Sequence, residues 1–164
     1  MKTTAKRLIA AALCLALTAL GVIVAVRIYR LLAYTAGDYT FAVLDDGTAE
    51  IRKYRGGAAT LQIPSTLKKR RVTRVGMRAF EWRFPLRNVT VPEGVVAIDE
   101  GAFAGCYALS TVKLPGSLTV IGERAFANCR SLEQVTLPEG LTALGGMAFD
   151  GCGRLTDKIG RAHV

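Results

Sequence analysis

The sequence predicts a mainly β protein: a short solenoid of 23-residue coils behind an N-terminal β-hairpin cap, preceded by one hydrophobic helix. Three observations carry this reading. Phe80, Phe103, Phe126 and Phe149 stand 23 residues apart, each preceded by Ala, and Pro92/Pro115/Pro138, Leu109/Leu132/Leu155 and Cys106/Cys129/Cys152 keep the same interval. A period held by five residue types marks stacked repeats. Inside each period, triplets such as Val89-Thr90-Val91, Val112-Lys113-Leu114 and Val135-Thr136-Leu137 alternate apolar and polar, the pattern of a short strand. Ahead of the repeats, Leu8 to Val26 is a run of 19 residues without a charge.

The uncharged run comes first. As a helix it would span about 28 Å, close to the roughly 30 Å hydrocarbon core of a bilayer. Lys2, Lys6 and Arg7 precede it, and Arg27 and Arg30 follow. The more positive leading side keeps the N-terminus cytoplasmic and sends the rest outward. Two readings stand for residues 1–36. A retained signal anchor fits the full length and the basic stop at Arg27; a cleaved signal peptide would use the small residues around Ala19-Leu20-Gly21. Membrane contact through residues 8–26 follows from the first.

Residues 37–58 read as the cap. Tyr39, Phe41 and Val43 alternate, Asp46-Gly47 offers a tight turn, and Ala49 and Ile51 alternate again. Residues 59–158 hold the coils. In each, a Pro removes a backbone donor and ends the strand. Leu118 and Ile121 then start a second inward stretch, and Ala125, Phe126, Cys129 and Leu132 share one face of a brief helical turn. Gly105, Asn128 and Gly151, just before the cysteines, tolerate left-handed backbone. Stacked about 4.8 Å apart, the coils pile like residues into ladders, because one coil alone cannot bury its apolar side. The first coil departs from the rest: Pro64 to Phe80 takes 16 residues where Pro92 to Phe103 takes 11, and the extra five fall around Leu67-Lys68-Lys69-Arg70-Arg71.

Composition bounds the function. The chain has 164 residues, room for one domain and an appendage, and 51% of them are apolar, which excludes wholesale disorder. Its single histidine, His163, leaves mechanisms built on imidazole almost no support. The net charge of +9 is uneven: residues 52–87 carry eleven bases and one acid, whereas residues 88–157 carry four bases and eight acids. That is a basic zone at one end of an acidic body, not a uniform nucleic-acid footprint; export, moreover, disfavours nucleic acid as a partner.

The units "TVKLPGSLTVIGERAFANCRSLE" and "QVTLPEGLTALGGMAFDGCGRLT" resemble the BspA-type leucine-rich repeats of bacterial surface proteins. The opening stretch "YTFAVLDDGTAEIRKYRGGAATLQIPST" is similar to the first module of that family, five-residue insert included. The resemblance spans about residues 38–157. It implies a parallel β-solenoid of leucine-rich repeats, exported, with a binding or adhesion surface, and some members are implicated in attachment to host proteins. The ending "IGRAHV", residues 159–164, resembles the translation of a common sequencing adapter. On that reading these six residues lie outside the fold, His163 is not native, and the natural chain runs on; a genuine short tail is the alternative.

Three groups of residues are site candidates. Cys106, Cys129 and Cys152 stack one coil apart, but nothing in their spacing suits a metal. A disulfide between rungs is poorly oriented, so buried thiols acting as small hydrophobes are the plainer reading. Lys68, Lys69, Arg70, Arg71, Arg74 and Arg78 form a candidate contact for a polyanion such as lipid heads, teichoic acid or a sulfated glycan, against the plain alternative of a solvated loop. Thr60, Gln62, Asn88, Thr90, Thr111, Lys113, Gln134 and Thr136 form a candidate binding face, a flat polar strip on the outside of the strands. Asp99 and Glu100 point to opposite sides if extended, so they make no paired-carboxylate site. No phosphate loop, dinucleotide fingerprint or G-x-S-x-G occurs, and no catalytic residue or cofactor is expected. The leading expectation is noncovalent binding of a host or envelope protein or an anionic glycan; a rigid envelope spacer without a ligand is the alternative.

Overall fold

The computed structural model describes residues 34–155 and 159–161. The uncharged run 8–26, on which the anchor and signal readings rest, lies outside the described residues, as does His163. The described residues belong to one compact unit.

The cap is three antiparallel strands, β1 (Tyr34–Ala36), β2 (Tyr39–Val43) and β3 (Ala49–Tyr54). The β2–β3 hairpin expected from the alternation is present, with Phe41 opposite Ile51. Its loop closes through Leu44, whose N–H donates to the Thr48 carbonyl at 2.9 Å, and Gly47 takes φ +80° there. β1, Tyr34–Ala36, pairs with β2 ahead of the hairpin.

About four coils follow, and their short strands fall into two parallel ladders. One set is β4 (Thr60–Gln62), β7 (Asn88–Thr90) and β9 (Thr111–Lys113), paired in parallel. A bridge from Thr111 to Gln134 continues it to β11 (Val135–Leu137). The other set is β6 (Arg70–Val75), β8 (Ala97–Ile98), β10 (Val120–Ile121) and β12 (Ala143–Leu144), also parallel. β3 of the cap joins this second set by parallel pairing with β6, so cap and coils share one sheet. Ile159–Arg161 form β13, paired in parallel with β11.

The insert is a hairpin of its own. β5 (Thr66–Leu67) pairs antiparallel with the start of β6, Leu67 opposite Arg70, and the two turn residues Lys68 and Lys69 take φ +49° and +67°. A two-residue turn of this hand requires positive φ at both centres and usually draws Gly or Asn. Two lysines hide that signal in the sequence.

The expected helical turn is a chain of tight turns instead. Ala125, Ala127 and Cys129 donate three residues back, to Gly122, Arg124 and Phe126. The remaining N–H groups reach the next coil: Phe103 donates to the Ala125 carbonyl at 2.7 Å and Phe126 to Ala148 at 2.8 Å. Bonds between coils thereby replace the i to i+4 bonds of a helix. Positive φ at Arg124 and Asn128 also breaks a helical run. The same corner demands close approach: a Cβ on Gly122 would sit 2.7 Å from the carbonyl carbon of Asp99 in the coil before.

The ladder of rings is the spine of the core. Phe80, Phe103, Phe126 and Phe149 stack at 4.8, 5.2 and 5.3 Å between centroids. Tyr54 continues the column into the cap at 5.3 Å from Phe80, and Tyr39 follows at 5.1 Å. Phe80, Phe103 and Phe126 are fully buried, as are Leu109 and Leu132 beside them. Each coil therefore buries its neighbour's apolar face, at about 1.5–3 kcal/mol per large side chain.

Candidate functional site

The strand register builds the polar strip expected from the sequence. Thr60 pairs with Asn88 and Asn88 with Thr111, while the bridge adds Gln134 to that row. Gln62 pairs with Thr90 and Thr90 with Lys113, and Thr136 stands on β11 in the matching place. Between the rows, Leu61, Val89, Val112 and Val135 turn inward and are buried. Alternation thus sends every second residue of each strand to the outer face. Thr60, Gln62, Lys113, Gln134 and Thr136 are exposed, whereas Asn88, Thr90 and Thr111 are half-buried by their neighbours. The Asn88 side-chain amide donates to Thr60 Oγ1 at 3.2 Å, tying two rungs together. Toward β11 the strip is not flat. A cavity of about 320 Å³ opens there, lined by Thr111, Lys113, Gln134 and Thr136 of the strip together with Gly116 and Pro138.

The basic candidates separate into two groups. Lys68, Lys69, Arg70 and Arg71 crowd the exposed β5–β6 hairpin, and Arg70 Nη1 donates to the Gly47 carbonyl at 3.0 Å, bracing the hairpin against the cap loop. Arg74 and Arg78 are partly answered by acids: Arg74 lies 3.9 Å from Asp99, and Arg78 lies 3.8 Å from Glu81. Arg74 also pairs in register with Glu50, a buried carboxylate that Arg52 holds at 3.0 Å. Burial pushes the Glu50 and Asp99 carboxyls above their ordinary values, against the pull of these arginines. In contrast, the exposed Asp46 carboxyl is held below its ordinary value by hydrogen bonds from the Thr48 hydroxyl and N–H.

The three cysteines of the coils are free thiols in a ladder. Cys106, Cys129 and Cys152 donate through Sγ to the carbonyls of Phe80, Phe103 and Phe126, at 3.1, 3.3 and 3.1 Å. Each thiol thus satisfies an acceptor in the preceding coil. Burial pushes the Cys106 thiol up to about 11. Cys129 rises further, through its contact with Cys152 and through burial. Such thiols are poor nucleophiles. No cluster of three metal-ligating side chains occurs among the described residues.

Sequence reasoning missed one group, the exposed aromatic side chains of Trp82 and Phe84 packed on half-buried Tyr107. The signal was present, because Phe84, Tyr107 and Arg130 keep the 23-residue interval, but their types differ and the period goes unnoticed.

Comparison with known proteins agrees with this architecture. Residues 59–160 match the model of the BspA type leucine rich repeat region, in six copies. A leucine-rich repeat protein from Bacteroides capillosus ATCC 29799 is 31% identical, with a TM-score of 0.71 over 80% of this chain and 99% of that one. The leucine-rich repeat protein of T. pallidum is 26% identical, with a TM-score of 0.61 over 75% of this chain and 69% of that one. One from Bacteroides ovatus ATCC 8483 is also 26% identical, with a TM-score of 0.52 over 74% of this chain and 39% of that one. No curated protein matches the sequence. A 23-residue period, two parallel strand ladders and a matching repeat model over most of the folded residues lead to one assignment: the chain belongs to the BspA-type leucine-rich repeat family.

Proposed function

We propose that this chain is an exported, membrane-anchored repeat protein that binds a protein or glycan partner noncovalently through the polar strip on β4, β7, β9 and β11. One observation carries the reading: two rows of polar side chains, set by strand register, meet a cavity of about 320 Å³ lined by Thr111, Lys113, Gln134 and Thr136. Rigid coils hold these groups in place before a partner arrives, which lowers the ordering cost of binding. The apolar run 8–26 with its basic flanks supports an anchor that leaves the coils outside the cell. The cationic hairpin Lys68–Arg71 would then contribute attraction to an anionic envelope polymer or lipid surface.

The test is a binding screen of the protein against matrix proteins and cell-wall glycans by surface plasmon resonance. A saturable, salt-sensitive partner is expected. Thr111→Arg, which fills the cavity, should weaken it by about tenfold or more, as loss of a packed contact does. A partner indifferent to Thr111→Arg would remove the strip from the reading. Absence of any partner would leave the rigid spacer as the function.

A further inference from the structure

Beyond the strip, the coils carry a second column, outside the buried Phe ladder. In each coil the N–H of one residue donates to the carbonyl two residues back: Phe84 to Trp82 at 3.0 Å, Tyr107 to Gly105 at 2.9 Å and Arg130 to Asn128 at 2.9 Å. This repeated turn sets the side chains of Phe84, Tyr107 and Arg130 in line across three coils. The rings of Phe84 and Tyr107 stack at 5.7 Å and 29°. The Arg130 guanidinium lies 4.9 Å from the centre of the Tyr107 ring, a cation–π contact. Trp82 leans in from the neighbouring ladder, 5.5 Å from Tyr107 at 71° and 6.3 Å from Phe84 at 48°.

Trp82 is there at a cost. Its φ is +58°, in the ladder where later coils carry Gly105, Asn128 and Gly151. A bulky residue in left-handed backbone is an outlier that points toward use. Gly105 makes room for it, since a Cβ on Gly105 would run into the indole. Yet Trp82 remains 46% exposed and Phe84 56% exposed. Two large rings are held rigidly, and about half their surface is left to water.

The chemistry around the rings narrows the occupant. Arg130 is exposed and has no carboxylate partner among the described residues. The open ring surface is on the order of 200 Å², far below the roughly 800 Å² each partner gives to a stable protein interface. A pyranose ring matches it: one face carries C–H bonds, which suit the negative face of an aromatic ring. Arg130 stands one step further along the column, beyond Tyr107, so a carboxylate on a neighbouring sugar of the same chain would meet the guanidinium in a charge-assisted pair. We propose that Trp82, Phe84, Tyr107 and Arg130 form a binding site for an acidic glycan, a saccharide chain bearing uronic acid groups.

Trp82 is the only tryptophan in the chain, so its fluorescence reports on this site alone. The full chain, kept in neutral detergent, is titrated with oligogalacturonate and, separately, with its neutral methyl ester. A saturable change with the acid is expected, and one weaker by about tenfold with the ester, the scale of a lost charged hydrogen bond. Arg130→Glu, at an exposed position, should abolish the response to the acid while the circular dichroism spectrum stays unchanged. Tyr107→Ala should weaken it by about tenfold through lost stacking. No saturable change, equal responses to acid and ester, or an unaltered response in Arg130→Glu would overturn the proposal. So would an equal response to inorganic phosphate, which would make the patch a general anion contact. The proposal does not rest on the strip: a Thr111→Arg-sensitive partner and a silent Trp82, or the reverse, would tell the two sites apart.

Discussion

If cohesion comes from nearest-neighbour burial, truncating a ring inside the ladder must cost much more than truncating the ring at its end. Phe103 is fully buried, with Phe80 at 4.8 Å on one side and Phe126 at 5.2 Å on the other. Phe149 is only half-buried and, among the described residues, stacks on Phe126 alone, at 5.3 Å. A buried Phe→Ala change costs about 3–5 kcal/mol, and the two stacked neighbours put Phe103 at the upper end. Phe149, with one neighbour and part of its surface already in water, should cost about 1–2 kcal/mol. Urea unfolding of each variant, followed by far-UV circular dichroism and by Trp82 fluorescence, gives both values. A double-mutant cycle sharpens the test. Phe80 and Phe103 should couple by about 1 kcal/mol, and Phe80 and Phe126, a coil further apart, by nearly zero. Equal costs at Phe103 and Phe149, or equal coupling in both pairs, would refute a stack held together between adjacent coils.

Two further outcomes follow from the buried polar groups. Glu50 has a carboxyl raised above its ordinary 4.5 by burial, so between that value and its folded-state value the native chain binds more protons than the unfolded one. Stability therefore falls as pH rises through this window and stays reduced above it. Glu50→Gln should stabilise the protein at pH 7 and lose that advantage below about pH 4, as read from unfolding midpoints across pH; an advantage independent of pH would assign the effect to packing instead. Cys152 is half-buried and Cys106 and Cys129 fully buried, so iodoacetamide should modify Cys152 first in the folded state. The other two should react only on unfolding, an order that peptide mass mapping reads directly. Early modification of Cys106 would contradict its place in the core.

Much of this architecture was legible because a solenoid writes its contacts into the sequence as a fixed interval. The Phe, Ala, Leu and Cys ladders, the polar strip and the β2–β3 hairpin all follow from period 23 or period two. Elements that needed unusual backbone were not legible. Lys68-Lys69 forms a hairpin turn without the residues that announce one, and Trp82 occupies left-handed backbone beside a glycine that makes room for it. The expected helical turn gave way because the N–H groups of Phe103 and Phe126 had better partners in the next coil, a contact that no single repeat contains.

By itself the sequence determined the repeat, its inward and outward residues and its family, since identical coils can bury their apolar sides only on one another. Tertiary structure alone decided which charges are answered, where the strip deepens into a cavity, and how Trp82 leans against the column of Phe84 and Tyr107. The reason is physical. A periodic pattern specifies what faces the core, but the outer surface is shaped by the residues that break the pattern, and their neighbours are known only once the coils are stacked.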